Sequence, residues 1–161
     1  LALLARFPVP LVVATNQSII GRGIVTQATL EHIHQQMLAE IRQHGGRIDR
    51  IYYCPHAPWE NCSCRKPRPG LLLRAAEEMG LDLSKSWFIG DRLSDLEAGR
   101  AAGTHTVLIG KRPLAPSDPQ PDHVASDLLE AARWLVRNII SELVAPSKRK
   151  DAPVARGELG H

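Results

Sequence analysis

The sequence predicts an α/β fold, Rossmann-like, in which a mostly parallel sheet carries helices on both faces. Short apolar runs alternate with amphipathic segments of roughly ten or more residues, the pattern of strands joined by crossover helices. The 161 residues are enough for one domain with its own core. Hydrophobic residues make up 43% and charged residues 23% of the chain, which excludes a disordered, collagenous or coiled-coil protein.

The first part of the chain contains two predicted strands and one long helix. Residues 11–14 form a short apolar run typical of a buried strand. A glycine-containing loop follows at 21–23. Thr26 is a suitable N-cap for a helix over 26–44, in which apolar residues recur at helical spacing. Residues 48–54, with Ile-Tyr-Tyr at their centre, predict the second strand.

The second part alternates three further strands with three helices, after an irregular loop rich in Pro and Cys at 55–69. From Pro146 onward the chain is rich in Lys, Arg, Pro and Gly and has no apolar pattern. We therefore expect one domain over 1–144 and a disordered basic tail over 145–161. Strands are predicted at 87–90, 106–109 and 123–125, and helices at 70–79, 93–102 and 127–143.

Composition also limits the partners and the compartment. No apolar run reaches the ~20 residues of a membrane-spanning helix, and no basic n-region with a small-residue cleavage site is visible. We therefore expect a cytoplasmic protein without a membrane partner, and a monomer. The net charge of +3 lies partly in the C-terminal tail and aromatic residues are only 4%, so a nucleic-acid-binding zinc module is disfavoured.

All three cysteines lie in one loop, with a histidine between them. Cys54, His56, Cys62 and Cys64 follow the spacing C-x-H-x5-C-x-C. Three thiolates and one imidazole form a closed tetrahedral zinc site, which leaves no open position for catalysis. Three unrelated reduced thiols are one alternative. A disulfide is another, but it is disfavoured in the cytoplasm, and a Cys-x-Cys bridge is strained. The pattern therefore predicts a structural Zn²⁺.

Polar side chains follow the ends of the predicted strands, where parallel sheets bind ligands. Thr15 follows the first strand, Lys66 lies in a cationic stretch, and Asp91 and Asp95 flank a strand end and a helix start. Each has an ordinary structural explanation when taken singly, such as a solvated loop or a helix cap. Together, a hydroxyl, a lysine and a carboxylate that can bind Mg²⁺ predict a site that neutralises a phosphoryl group.

Four stretches carry a family resemblance: 12–18 (VVATNQS), 52–56 (YYCPH), 62–70 (CSCRKPRPG) and 89–95 (IGDRLSD). They resemble the haloacid-dehalogenase-like (HAD-like) phosphatases, and more narrowly the D-glycero-D-manno-heptose-1,7-bisphosphate 7-phosphatases and the histidinol-phosphatases. The loops at 21–23 and 66–70 favour the heptose branch. The resemblance implies hydrolysis of a sugar bisphosphate to its 1-phosphate in lipopolysaccharide precursor biosynthesis, with histidinol-phosphatase or an inactive zinc-stabilised fragment as alternatives.

The resemblance also implies a role for each candidate residue. Thr15 and Lys66 would stabilise the transferring phosphoryl group, and Asp91 would bind a catalytic Mg²⁺. Asp95 would orient Lys66 or a metal-bound water. The residues that contact the sugar phosphate would be Asn16, Gln17, Ser18, Arg65 (at the far end of the substrate) and Arg92, and the zinc ligands would be Cys54, His56, Cys62 and Cys64.

The first motif of that family, Asp-x-Asp-Gly at the end of its first strand, does not occur in this sequence. Its first Asp is the nucleophile and its second the general acid/base, yet no Asp or Glu precedes Glu31 here. In the family that strand lies at the centre of the sheet, between the strands that end at Thr15 and at Asp91. Without it we expect the chain alone to be marginally stable or inactive, and to be an N-terminally truncated piece of an active enzyme.

Overall fold

The computed structural model describes residues 1–111 and 113–140, and it alternates strands with helices. The predicted tail at 145–161 lies outside the described residues. The strands are β1 (Val12–Asn16), β2 (Arg50–Cys54), β3 (Trp87–Gly90), β4 (His105–Ile109) and β5 (His123–Ala125). The helices are α1 (Ser18–Gly21), α2 (Gln27–Gln43), α3 (Gly70–Met79), α4 (Leu93–Ala102) and α5 (Leu128–Leu135), and single 3-10 turns occur at Leu4–Arg6, Pro58–Glu60 and Leu83–Lys85.

The predicted strands and helices are confirmed within a few residues, with two exceptions. The polar stretch after the first strand contains α1, a single helical turn that is too short to show apolar periodicity. The last predicted helix is α-helical only to Leu135 and continues as a π-helix over Val136–Ile140. Within the described residues, no helix combines the length and the apolar character that a membrane span requires.

Every pair of neighbouring strands is parallel, in two hydrogen-bonded sheets, β1–β2 and β3–β4–β5. In the first sheet, Asn16 at the end of β1 pairs with Cys54 at the end of β2. In the second, Gly90 at the end of β3 pairs with Leu108. Because parallel strands end at the same edge, the residues that follow β1 and β2 emerge side by side, and so do those that follow β3 and β4.

The two faces of the strands bury separate apolar clusters. Successive side chains on a strand point to opposite faces. Phe88 therefore packs with the cluster around Leu71, on the side of α3 and α4. Trp87 and Ile89 pack instead with the cluster around Leu135, on the side of α5. Helices thus cover both faces, as the sequence predicts.

An apolar cavity of about 650 Å³ lies between β1 and β3. Its lining includes Val12 and Val13 from β1 and Phe88 and Ile89 from β3. All residues of these two strands are half-buried, whereas three of the five residues of β4 are fully buried. On the sides where they pair with no other strand, β1 and β3 thus border the same cavity. The missing central strand that the resemblance implies stays a prediction.

Asp122 ties the chain before β5 to the start of β4. Its Oδ2 accepts hydrogen bonds from the Thr106 backbone N–H at 2.7 Å and from the Thr106 hydroxyl at 3.2 Å. His105 Nδ1 lies 3.8 Å from its other oxygen. Burial raises the pKa of Asp122, but the hydrogen bonds from Thr106 outweigh it and hold the pKa below its usual value.

We expect Asp122→Asn to lower the free energy of unfolding at pH 7 by about 1 kcal/mol, discounted because the side chain is partly exposed. A carboxyl whose pKa is depressed by folding stabilises the protein above its unfolded pKa, near 3.8. That contribution is lost as the pH falls through the lower folded pKa. Urea unfolding of both proteins should therefore show a difference that shrinks from pH 5 towards pH 2, and a difference that stays constant would contradict this.

Candidate functional site

Lys66 bridges the two sheets at their carboxyl ends. Its Nζ lies 2.7 Å from Asp95 Oδ1 and donates to the Ala14 carbonyl oxygen of β1 at 2.8 Å. The same ammonium lies 5.5 Å from the centroid of the Phe88 ring in β3. The side chains of Lys66 and Asp95 are only 12% and 6% exposed. This lysine is therefore a fixed, nearly buried positive charge and not part of a solvated loop.

Asp95 is held in place from two sides. Its Oδ2 accepts the Arg92 backbone N–H at 3.1 Å, which caps the first turn of α4. Gly90 lies directly against it, since a Cβ at Gly90 would be 2.3 Å from Asp95 Cβ. The helix cap is thus made by Asp95, and Asp91, directly after β3, stays exposed along with Arg92.

The end of β1 is fastened to the loop that carries Lys66. Asn16 Nδ2 donates to the Lys66 carbonyl oxygen, and Asn16 Oδ1 accepts the Lys66 backbone N–H, both at 3.1 Å. Thr15 Oγ1 accepts a hydrogen bond from Gln17 Nε2 at 3.2 Å. Ser18 begins α1 immediately afterwards. The Asn16 amide thus positions Lys66, while the Thr15 hydroxyl retains its own proton to donate.

A cavity of about 220 Å³ adjoins Lys66, and its lining includes three cations. Besides Lys66 these are Arg65 and Arg68. Arg65 Nη1 donates to the His56 carbonyl oxygen at 3.4 Å, and Arg68 donates to the Cys62 carbonyl oxygen. Three positive charges around one cavity favour an anionic ligand.

The four predicted metal ligands lie together, with all ligand atoms within 4.8 Å of one another. Cys54 Sγ is 3.5 Å from His56 Nδ1 and 3.5 Å from Cys62 Sγ. Cys64 Sγ is 3.3 Å from His56 Nδ1 and 3.5 Å from Cys62 Sγ. Metal–sulfur bonds of about 2.3 Å and a metal–nitrogen bond of about 2.0 Å at tetrahedral angles separate the ligand atoms by about 3.5 to 3.8 Å. The cluster therefore fits a four-coordinate metal ion.

The electrostatics of the cysteines also favour a cation. Burial raises the pKa of the Cys54 thiol to about 12. For Cys62 burial acts in the same direction, but hydrogen bonds from the Cys54 and Cys64 thiols outweigh it and lower the pKa to about 7. The three thiols cannot all lose their protons without strong mutual repulsion unless a positive ion neutralises them.

The structure places the predicted groups at the carboxyl ends of β1 and β3. They are the Thr15 hydroxyl, the Lys66 ammonium and the carboxylates of Asp91 and Asp95. Lys66 connects them, because it contacts β1 next to Thr15 and also contacts Asp95 in α4. Sequence reasoning missed Gly90, whose lack of a side chain admits Asp95. The signal was present in the sequence as a glycine directly before Asp91 at the end of a strand. The chemical roles assigned to these residues stay predictions.

Comparison with known proteins gives consistent matches. Residues 63–131 match the family model described as HAD-hydrolase-like. The chain is 44% identical over 128 residues to the D-glycero-beta-D-manno-heptose-1,7-bisphosphate 7-phosphatase of Pseudomonas putida, covering 77% of this chain and 73% of that protein. The protein of the same name from Pseudomonas aeruginosa is 42% identical over 129 residues, covering 78% and 72%.

A solved structure shows the same fold. The crystal structure of D,D-heptose 1,7-bisphosphate phosphatase from B. bronchiseptica, complexed with magnesium and phosphate, is similar with a TM-score of 0.72 at 35% identity. The match covers 80% of this chain and 74% of that chain.

Proposed function

Since the chain belongs to the heptose-1,7-bisphosphate 7-phosphatases among the HAD-like hydrolases, we propose that it serves to remove the 7-phosphate of D-glycero-D-manno-heptose 1,7-bisphosphate. The observation that carries this is Lys66, a nearly buried ammonium that Asp95 and the Ala14 carbonyl hold beside a cationic cavity. Hydrolysis of a phosphoric monoester is the reaction class of the family. Both relatives described above carry the heptose substrate in their names.

The reacting phosphate needs its negative charge neutralised while it is transferred. Lys66 supplies a fixed positive charge that requires no rearrangement during the reaction, and Thr15 supplies a hydroxyl donor. Asp91 is exposed at the end of β3, and its carboxylate oxygens are suited to hold Mg²⁺. When bound, that ion supplies further charge neutralisation at the phosphoryl oxygens. Magnesium and phosphate occur together in the B. bronchiseptica structure, which supports this assignment.

The remainder of a bisphosphate requires its own contacts. Arg65 lines the cationic cavity next to Lys66 and is our choice for the distant phosphate. Gln17 and Ser18 follow Thr15 at the same edge, and Arg92 is exposed beside Asp91. We assign a substrate-binding role to these three residues. Asn16 has a positioning role, because its amide is occupied by the Lys66 backbone.

The metal in the cysteine loop is Zn²⁺ with a structural role, in this proposal. Three sulfur ligands and one imidazole are the donor set that zinc prefers, and four protein ligands leave no position for substrate. Arg65 and Lys66 directly follow the last ligand, Cys64. A metal ion that keeps this loop closed therefore also fixes the positions of Arg65 and Lys66.

We propose that the acceptor of the phosphoryl group is an Asp, the nucleophile of the first motif that the family resemblance implies and that this sequence lacks. One of its carboxylate oxygens attacks phosphorus while the bond from phosphorus to the C7 oxygen breaks, and the leaving oxygen takes a proton from the general acid, the second Asp of the same motif. Water then hydrolyses the aspartyl-phosphate to phosphate and the free carboxylate. Asp95 is paired with Lys66, and Asp91 is assigned to Mg²⁺, so neither is available for this attack.

The test compares the product of the complete coding region with this 161-residue chain, both in Mg²⁺. Phosphate release is measured from D-glycero-D-manno-heptose 1,7-bisphosphate and from histidinol phosphate. We expect the complete protein to favour the bisphosphate by at least about 100-fold in kcat/KM, and the chain alone to bind inorganic phosphate without turnover. A preference for histidinol phosphate would overturn the heptose assignment. Turnover by the 161-residue chain alone would overturn the proposal that the nucleophile is an Asp that this sequence lacks.

The remaining expectations concern the setting of the enzyme. A cytoplasmic location, a monomeric state and the absence of nucleic-acid and membrane partners stay predictions from the sequence.

A further inference from the structure

Trp59 is a large aromatic side chain that the fold leaves in solvent. It is 69% exposed, in the 3-10 turn Pro58–Glu60 of the cysteine loop. By contrast, Trp87 and Trp134 pack against each other with ring centroids 5.1 Å apart. Burying an indole typically stabilises a protein by about 2 kcal/mol. The neighbour of Trp59, Pro58, lines the cationic cavity, so the exposed indole offers an aromatic face next to that cavity.

Arg22 lies over this ring. Its guanidinium carbon is 5.4 Å from the Trp59 ring centroid, a cation–π contact. Within residues 1–111 and 113–140, no carboxylate lies within 4.0 Å of the Arg22 guanidinium. Its planar fork of N–H donors, suited to phosphate and hydroxyl oxygens, is thus not engaged by an acidic partner there.

The Arg22–Trp59 pair is attached rigidly to the candidate site. Backbone N–H groups of Gln17 and Gly21 donate to the carbonyl oxygens of Cys54 and Pro55, both at 2.8 Å, so α1 runs along the start of the cysteine loop. A Cβ at Gly21 would lie 2.5 Å from the Ala57 backbone nitrogen, so this close approach requires glycine. Arg22 directly follows this glycine, so its backbone is anchored to the loop that carries Trp59.

The pair also lies next to the cavity that Lys66 lines. Pro58, the neighbour of Trp59, lines the cationic cavity together with Lys66. Asn16, which holds Lys66, precedes Arg22 by six residues, four of them in or next to one helical turn. At the rise of helical and extended backbone, six such residues span at most on the order of 10 Å, so Arg22 stays near the end of β1.

We propose that Arg22 and Trp59 bind the non-reacting part of the substrate, a pyranose 1-phosphate. The indole packs against the apolar C–H face of the sugar ring, and the guanidinium donates to its hydroxyl or phosphate oxygens. The inference rests on the proposed function and adds a recognition site to it. Contacts to the non-reacting part of a substrate supply binding energy that helps to position the reacting end.

The test measures binding, so it needs no turnover. Isothermal titration calorimetry on the 161-residue chain uses two probes, D-mannose 1-phosphate and inorganic phosphate. We expect Trp59→Ala to weaken binding of mannose 1-phosphate about tenfold and to leave the affinity for inorganic phosphate within about twofold. Trp59→Phe keeps an aromatic face and should retain most of the affinity. Arg22→Ala should weaken binding of mannose 1-phosphate to a similar degree.

Ile24→Ala is the matched control, because Ile24 is 66% exposed two residues after Arg22. It should change neither affinity, and all variants should keep the thermal unfolding midpoint of the parent chain. Equal affinities of the parent and Trp59→Ala for mannose 1-phosphate would overturn the proposal. If only inorganic phosphate binds, the sugar site is wrong and the phosphate site stands. If neither probe binds, the proposed function fails as well.

Discussion

Replacing Cys62 by serine will remove the metal and lower the thermal unfolding midpoint by about 10 °C or more. Three ligands remain in that variant, and the loop at 55–69 has too few apolar residues to hold itself closed. Because binding of a structural zinc contributes directly to the free energy of folding, its loss lowers the stability of the whole domain. The measurement is zinc content per chain by mass spectrometry together with thermal unfolding. We expect one zinc per parent chain and none in Cys62→Ser.

Ser63→Ala is the control for this experiment, since it alters the same exposed loop and keeps every ligand. Its zinc content and unfolding midpoint should equal those of the parent. A strong chelator should lower the midpoint of the parent to that of Cys62→Ser and leave the variant unchanged. A parent chain that is purified without zinc, or a variant as stable as the parent, would contradict the structural role.

Replacing Lys66 by alanine will lower the free energy of unfolding by about 3–5 kcal/mol and abolish binding of inorganic phosphate. The variant leaves the Asp95 carboxylate buried, at 6% exposure, without its cation, and also removes the donor to the Ala14 carbonyl. An unpaired buried charge is far less favourable than an intact pair. Urea unfolding and calorimetric titration with phosphate measure the two effects.

A double variant separates the structural from the functional part of this result. Lys66→Met with Asp95→Asn removes both charges and keeps an acceptor for the Arg92 N–H, so most of the lost stability should return. Phosphate binding should stay lost, because the ammonium that lies next to Thr15 at the end of β1 is gone. If the double variant binds phosphate as the parent does, Lys66 is not the phosphoryl ligand.

Lys85→Ala is the matched control for the lysine. Lys85 Nζ also lies near a carboxylate, 3.2 Å from Asp82 Oδ2, but the two side chains are 74% and 51% exposed. Exposed ion pairs contribute less than about 1 kcal/mol. Lys85→Ala should therefore change stability little and phosphate binding not at all. If Lys85→Ala lowered the free energy of unfolding as much as Lys66→Ala, burial of the ion pair would not be the cause of the lost stability.

Local features of the fold were predictable because their causes are local. The predicted helix over 70–79 agrees with α3, since apolar periodicity marks its buried face and Gly80 accommodates the left-handed φ of 64° at its end. The Cys/His cluster that could hold a metal was predictable for a similar reason, because four residues within an eleven-residue stretch depend little on the rest of the chain. Helix α1 was missed because four residues carry no period.

The sequence by itself thus determined the order of strands and helices, the candidate metal-binding cluster and the motifs at the strand ends. Only the tertiary structure decided how those motifs cooperate. It paired Lys66 with Asp95 and fastened it to Asn16, fifty residues away, and it left β1 and β3 on either side of one apolar cavity. The physical reason is range: periodicity and capping act between residues a few positions apart, whereas the partner of a buried charge depends on which distant strands and helices pack together.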